Sequence, residues 1–214
     1  MKIALVRHGQ TESNYNEICQ GSTNILLNDT GRRQCQKLRD KIKDKKYDVC
    51  YMSPLVRAVE TAMILIGDRV EMIPDKRLID RDLGELEGKS RSLYDSNKYW
   101  DYNLNSGDLG VEPVQEIFKR CSEFLDYILE KHKDESVLIV AHAASIRAIR
   151  HILLNSDLSK NLLLKDIETV YTISFNTDGG NKVVNLSGYT LYLDTLNVLN
   201  DKVLGKVKLN KYQT

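Results

Sequence analysis

Ile3-Ala4-Leu5-Val6-Arg7-His8-Gly9 joins four consecutive apolar residues to an arginine, a histidine and a glycine. An unbroken apolar run of this length is typical of a parallel strand that is buried on both faces. A second run, Val137-Leu138-Ile139-Val140, is followed in a similar way by Ala141-His142. Ligands of open parallel sheets bind beyond the carboxyl ends of the strands, so we expect His8 and His142 to meet at one edge of the sheet.

Predicted strands and helices alternate along most of the chain. Further strands are expected at Tyr47–Met52 and Val70–Ile73, and helices are expected after Thr30, at Leu55–Ile66, from Pro113 and at about Ser145–Leu154. This alternation predicts a three-layer α/β/α fold with a mostly parallel central sheet. Val170–Phe175 and Val183–Tyr189 flank a glycine-bearing turn at 177–181, which predicts an antiparallel hairpin at the sheet edge. The final residues suggest no element.

The 214 residues suffice for one well-filled core, so a single domain over residues 1–214 is expected. The segment at about 89–112 is polar and aperiodic, yet it carries the aromatic residues Tyr94, Tyr99, Trp100 and Tyr102. It is predicted to be a variable insertion or lid over a site. The same aromatic residues would equally suit a small core under a loop.

Composition and charge exclude several classes of protein. Lys and Arg total 31 against 30 Asp and Glu, and this near-balance does not favour nucleic acid or a membrane surface as a partner. The N-terminal apolar run is too short for a signal peptide or a membrane span, and the four cysteines show no metal-binding or C-x-x-C spacing. A cytoplasmic protein is therefore expected. No P-loop or G-x-G-x-x-G motif is present, so no cofactor is predicted, and the oligomeric state is left open.

Arginines accompany both histidines. Arg7 precedes His8, Arg57 follows the predicted second strand, and Arg147 lies in the helix after His142. Guanidinium forks, imidazole N–H groups and the backbone N–H groups of a helix start can all bind one phosphoryl group. The sequence therefore predicts a pocket for a phosphorylated small molecule.

Three segments resemble the motifs of the histidine phosphatases, also called the phosphoglycerate-mutase-like superfamily. They are Leu5–Asn14, Ser53–Ala62 and Val140–Arg147, in this order and each at a predicted strand end. The resemblance extends from Met1 to about Phe175. It implies a metal-independent phosphomonoesterase that hydrolyses a small phosphorylated metabolite through a phosphohistidine intermediate.

The resemblance also implies a role for each residue that matches a motif. His8 is similar to the nucleophile that accepts the phosphoryl group. Arg7, Arg57 and His142 are similar to the cationic wall around that group, and Asn14 is similar to a polar phosphate contact. An imidazole suits the nucleophilic role because its neutral form attacks readily and its pKa lies near neutrality.

The sequence departs from the family pattern at two positions near the phosphate. The glutamate that usually serves as proton donor falls on Asp80, which is one methylene shorter, so Asp82 and Glu85 stay open as alternatives. Ala143 stands where the family usually has glycine after its second histidine. Its backbone is expected to contact the phosphate, and its methyl group to narrow the pocket.

Other interpretations of the same residues stay open. His8, His142 and Asp80 match a two-histidine, one-carboxylate metal site, although the neighbouring arginines would repel a divalent cation, so no metal is predicted. Arg7 and Arg57 could instead be structural partners of Glu12 and Glu60. That second alternative would leave the phosphate without its cationic wall.

Two further functions compete with hydrolysis. A phosphoglycerate-mutase-type isomerase would return the phosphoryl group to another hydroxyl, and a catalytically silent scaffold would only bind phosphate. The acid segment lacks the Glu-Arg-His-Tyr-Gly pattern of such mutases, which favours hydrolysis, whereas the departures at Asp80 and Ala143 keep the scaffold open.

Overall fold

The computed structural model describes residues 1–153, 156–159 and 162, together with the backbone of three later strands. The strands are β1 (Lys2–Arg7), β2 (Val49–Met52), β3 (Glu71–Pro74), β4 (Ser136–Ala141), β5 (Val170–Asn176), β6 (Val183–Tyr189) and β7 (Lys202–Lys208). The helices are α1 (Glu12–Tyr15), α2 (Asp29–Ile42), α3 (Val56–Ile66), α4 (Ser96–Tyr99), α5 (Val114–Lys131) and α6 (Ala143–Leu153). The turn predicted at 177–181 lies outside the described residues.

The seven strands form one sheet in the order β3-β2-β4-β1-β5-β6-β7. The first four are mutually parallel, which confirms the predicted α/β fold with a parallel central sheet. β5 pairs antiparallel with β1, β6 with β5, and β7 with β6. The β5–β6 pair is therefore not at the edge, because β7 lies outside it, and the expectation of no element near the end of the chain was wrong.

Apolar side chains alternate between the two faces of the central strands. Ile3 and Leu5 of β1 join the core that contains residues of α5 and α6. Ala4 and Val6 join the core that contains residues of α2 and α3. Because successive side chains of a strand point to opposite faces, a continuous apolar run can supply both cores at once. Helices therefore cover both faces of the parallel strands.

Two helix starts differ from the prediction for local chemical reasons. The cap of α2 is Asn28, whose side-chain oxygen accepts a hydrogen bond from the Gly31 backbone N–H at 2.8 Å, while Thr30 lies inside the helix. α6 begins at Ala143, before the predicted Ser145. The hydroxyl of Ser145 does not cap the helix, because it donates to the backbone carbonyls of Leu78 and Ile79.

The aromatic residues of segment 89–112 are shared between a small core and the main core. Tyr94 and Tyr99 stack with ring centroids 5.0 Å apart, and Tyr99 packs with Leu86 and Val111. Trp100 belongs to the main core. All four cysteines are free and buried. None of the described helices is long and apolar enough to cross a lipid bilayer.

Candidate active site

The register of the central strands brings the two histidines together. Arg7 is paired with Ala141, and the His8 backbone N–H donates to the Ala141 carbonyl at 3.0 Å. The His8 and His142 rings lie with centroids 5.1 Å apart, and both side chains are buried. His8 lines a cavity of about 90 Å³ at the carboxyl ends of the strands.

Hydrogen bonding fixes the tautomer of His8. Its Nδ1 lies 2.7 Å from the carbonyl oxygen of Gly9. A carbonyl only accepts, so Nδ1 carries the hydrogen and donates it, and Nε2 keeps its lone pair. Burial, the neighbouring His142 and the Arg7 and Arg57 guanidiniums lower the pKa of His8 well below its usual value. The ring is therefore neutral at pH 7 and able to act as a nucleophile.

His142 resembles His8 in its lowered pKa but differs from it in hydrogen bonding. Burial, followed by the charges of Arg57, Arg7 and Arg120, lowers the pKa of His142 well below its usual value. Among the described residues, neither ring nitrogen makes a hydrogen bond, although both are buried. Buried polar atoms are nearly always hydrogen-bonded, so His142 keeps hydrogen-bonding capacity beside His8.

Arg57 is held rigidly behind the cavity. Its side chain is fully buried, and its two terminal nitrogens donate to the Thr23 and Gly21 carbonyls, each at 2.7 Å. Burial lowers the pKa of Arg57, and the Asp80 carboxylate partly opposes that effect. The expected alternative partner, Glu60, instead accepts from Arg32 at 2.6 Å, so the structural pairing of Arg57 with Glu60 was wrong.

Asp80 lies between the cationic wall and the cavity. Its Oδ2 is 3.3 Å from an Arg57 nitrogen and 3.7 Å from Nδ1 of His142. Of the three carboxylates considered as proton donor, Asp80 lines the cavity, whereas Asp82 and Glu85 are exposed and do not. Of these three carboxylates, the structure therefore places Asp80 alone at the cavity.

The loop that carries Asp80 is clamped from two helices. Ser145 of α6 donates to the Ile79 carbonyl at 2.8 Å, and Arg120 of α5 donates to the same carbonyl at 2.8 Å. Arg120 also pairs with Glu112 at 2.7 Å. Gly84, further along the loop, has φ +52 and no space for a side chain against the Leu109 carbonyl.

Asn14 and Ala143, the two residues expected to contact a phosphate, both line the cavity. The Asn14 side-chain oxygen accepts from the backbone N–H of Thr11 at 3.1 Å in a capping box at the start of α1. The amide NH₂ of Asn14 is then left for a ligand. Ala143 is half-buried at the first position of α6, where backbone N–H groups are free to bind an anion.

The polar side chains of Gln20, Arg81 and Arg91 also line the cavity and were not predicted from the sequence. Gln20 accepts a hydrogen bond from the Thr11 hydroxyl at 2.7 Å, which orients its amide group. These residues lie in aperiodic segments, where no spacing indicates which side chain turns inward. Their positions depend on contacts between distant parts of the chain.

The cluster of His8, Asp80 and His142 also meets the distance requirement of a metal site, since its candidate ligand atoms lie within 4.8 Å of one another. The charges around it do not fit a divalent cation. An Arg57 nitrogen lies 3.3 Å from the Asp80 oxygen, and Arg7 and Arg57 both act electrostatically on His8. Two fixed positive charges at this range favour an anion in the same space.

Comparison with known proteins places these features in a family. Residues 3–187 match the model of the histidine phosphatase superfamily (branch 1). The chain is 33% identical over 158 residues to phosphoglycerate mutase-like protein 4 of Arabidopsis thaliana, covering 69% of each chain. It is 35% identical over 150 residues to the uncharacterized phosphatase PhoE of Bacillus subtilis, covering 69% of this chain and 74% of that protein.

Two further similarities concern a plant enzyme and a solved structure. The metal-independent phosphoserine phosphatase of Arabidopsis thaliana is 29% identical over 182 residues, which cover 79% of this chain and 76% of that protein. The structure of Bacillus stearothermophilus YhfR superposes with a TM-score of 0.75 at 26% identity, covering 90% of this chain and 99% of that chain. The chain therefore belongs to branch 1 of the histidine phosphatase superfamily and is a phosphoric monoester hydrolase.

Proposed function

We propose that the protein hydrolyses small phosphomonoesters without a metal ion, through a phosphohistidine intermediate on His8. The observation that carries this proposal is the state of His8: a neutral ring with Nδ1–H held by Gly9 and with Nε2 left as the nucleophile. The proposal treats residues 1–214 as a single domain. Segment 89–112 contributes to the substrate side of the cavity through Arg91, Tyr94 and Trp100.

In the first step, Nε2 of His8 attacks the phosphorus atom, and the bond between phosphorus and the ester oxygen breaks. Asp80, in its protonated form, gives its proton to the leaving oxygen. Arg7, Arg57 and His142 stabilise the negative charge on the three remaining phosphoryl oxygens. The site is already organised for this task, because Arg57 is held by two backbone carbonyls before any substrate arrives.

In the second step, water replaces the histidine. The Asp80 carboxylate removes a proton from the water, the water oxygen bonds to phosphorus, and the bond between phosphorus and Nε2 breaks. Inorganic phosphate leaves, and Asp80 is again protonated for the next cycle. The amide NH₂ of Asn14 and the backbone N–H of Ala143 bind the phosphoryl group throughout both steps.

The test is to trap the intermediate. The protein is mixed with a phosphomonoester that carries a labelled phosphate, stopped in alkaline denaturant and digested, and the label is mapped. Label is expected on His8 in the wild-type protein and in His132→Gln, which alters a histidine outside the cavity. His8→Gln should carry none and turn over at least a hundredfold more slowly. Label on a serine or threonine, or full turnover by His8→Gln, would overturn the mechanism.

The same reaction run in excess EDTA tests metal independence. Turnover should be unchanged, because arginines and histidines supply the positive charge that a metal would bring. A large loss that zinc, magnesium or manganese restores would favour the metal site instead. Product analysis completes the test, since release of inorganic phosphate indicates hydrolysis, interconversion of phosphoglycerates indicates an isomerase, and no turnover indicates a scaffold.

A further inference from the structure

The cavity holds more positive charge than a phosphate needs. Its described lining contains four arginines, Arg7, Arg81, Arg91 and Arg147, and one carboxylate, Asp80, with His8 neutral. This lining therefore carries three net positive charges when Asp80 is ionised and four when Asp80 is protonated. A phosphate ester brings about two negative charges at neutral pH. At least one positive charge then remains uncompensated in a partly desolvated space, which disfavours the site unless a ligand supplies a further anion.

Arg147 is one of the arginines in this lining that no ion pair links to a carboxylate within the described part of the chain. Its Nε is buried and makes no hydrogen bond there. The ionisable groups that act on it most strongly are Tyr94 and three other arginines. Arg81 differs from it, because Arg81 donates to two backbone carbonyls and to the Tyr94 hydroxyl.

Trp100 holds the Arg147 side chain in place. The guanidinium carbon of Arg147 lies 4.3 Å from the centre of the Trp100 ring, and Trp100 is itself buried in the main core. Stacking on an indole orients a guanidinium without using its N–H donors. Those donors stay available to a ligand in the cavity that Arg147 lines.

The helix sets the distance between Arg147 and the phosphate. Ala143 and Arg147 are four residues apart on α6, and both line the cavity. Residues at this spacing lie on one helix face with their Cβ atoms about 5–6 Å apart. A phosphate at the start of α6 would therefore have Arg147 one helical turn away. A carboxylate one or two carbons from the ester carbon can span this separation.

We propose that Arg147 and Arg91 form a second anion subsite, and that the preferred substrate is a phosphomonoester with a carboxylate close to its phosphate. This inference rests on the proposed phosphatase activity. Arg91 is exposed, lines the same cavity and is close enough for its charge to act on Arg147, so both guanidinium groups can face one carboxylate. A planar carboxylate accepts well from guanidinium groups, which present their donors as a fork.

The test compares two esters that differ in one group. 3-Phosphoglycerate carries a carboxylate where glycerol 3-phosphate carries a hydroxymethyl group, and nitrophenyl phosphate serves as a reference for the chemistry. In the wild-type protein, kcat/KM for 3-phosphoglycerate should exceed kcat/KM for glycerol 3-phosphate by roughly tenfold or more, which is the scale of a charged hydrogen bond. The ratio should fall toward one in Arg147→Gln and, to a smaller extent, in Arg91→Gln.

Arg33→Gln removes an equal charge from the exposed face of α2 and should keep the wild-type ratio. Because Arg91 is exposed, Arg91→Gln is expected to fold normally. Equal rates on both esters, or equal losses on both in the two variants, would overturn the subsite while leaving the phosphatase intact. Failure to hydrolyse nitrophenyl phosphate would instead overturn the proposed function itself.

Discussion

Asp80 shows how a single side chain links the two steps of the proposed reaction. It touches the cationic wall through Arg57 at 3.3 Å and lines the cavity, so one carboxyl group can reach both the leaving oxygen and the incoming water. The backbone just before Asp80 is held by Arg120 of α5 and Ser145 of α6, which both donate to the Ile79 carbonyl.

We expect Asp80→Asn to lower kcat on an alkyl phosphate by roughly a hundredfold or more, the usual scale for removing a positioned proton donor. Nitrophenyl phosphate should lose less, because its leaving group needs no proton. Steady-state kinetics on both substrates measure the difference. Asp82→Asn serves as the control, since Asp82 is exposed and caps the turn at Gly84. If Asp80→Asn hydrolyses an alkyl phosphate at a nearly normal rate while Asp82→Asn or Glu85→Gln is strongly impaired, the impaired position is the proton donor instead.

At the scale of elements, strand ends and loops were predictable to different degrees. The apolar runs of β1 and β4 predicted where His8 and His142 would stand, because the period of a strand and the rule for parallel sheets are local. Gln20 and Arg91 were not predicted, because the loops that carry them follow no period and are set by contacts far along the chain. The β-bridge between Ile18 and Ser90 is an example of such a contact.

The clamp on the acid loop leads to an element-scale prediction. Ser145→Ala removes a buried hydroxyl that donates to the Leu78 and Ile79 carbonyls, so the free energy of unfolding should fall by about 1–3 kcal/mol in urea titrations. If the clamp also positions Asp80, kcat should fall several-fold more on an alkyl phosphate than on nitrophenyl phosphate. A purely structural role would lower both rates equally. Ser122→Ala is the control, because Ser122 lies in α5 but outside the cavity. It should leave the ratio of kcat on the alkyl phosphate to kcat on nitrophenyl phosphate unchanged.

For the whole molecule, buried neutral histidines set the response to acid. Burial is the first cause that lowers the pKa of His8, His142 and His151 below 6.5. The unfolded chain then binds protons that the folded chain does not, so acidification favours unfolding. The free energy of unfolding should begin to fall below about pH 6.5, with a limiting slope of about 1.4 kcal/mol per pH unit for each histidine.

Urea unfolding at several pH values between 5 and 7.5 measures this slope, and carboxylates, which titrate near pH 4, contribute little in that window. The double variant His8→Gln/His142→Gln should have a distinctly flatter profile. His132→Gln is the control variant, because it removes a histidine that lies away from the cavity, beside Tyr51 and Glu135. A double variant as steep as the wild type would show that the two site histidines are not responsible.

The position of β1 inside the sheet has a consequence for how the molecule is made. β1 is paired on one side with β4 and on the other with β5, and Lys2 of β1 lies opposite Ser136 of β4. About 130 residues must therefore be synthesised before the strand that leads to His8 has any neighbour to pair with, and such long-range closure is intrinsically slow. Until then an apolar segment is left without its sheet, so the nascent chain carries its aggregation risk at the strand that later supplies the nucleophile.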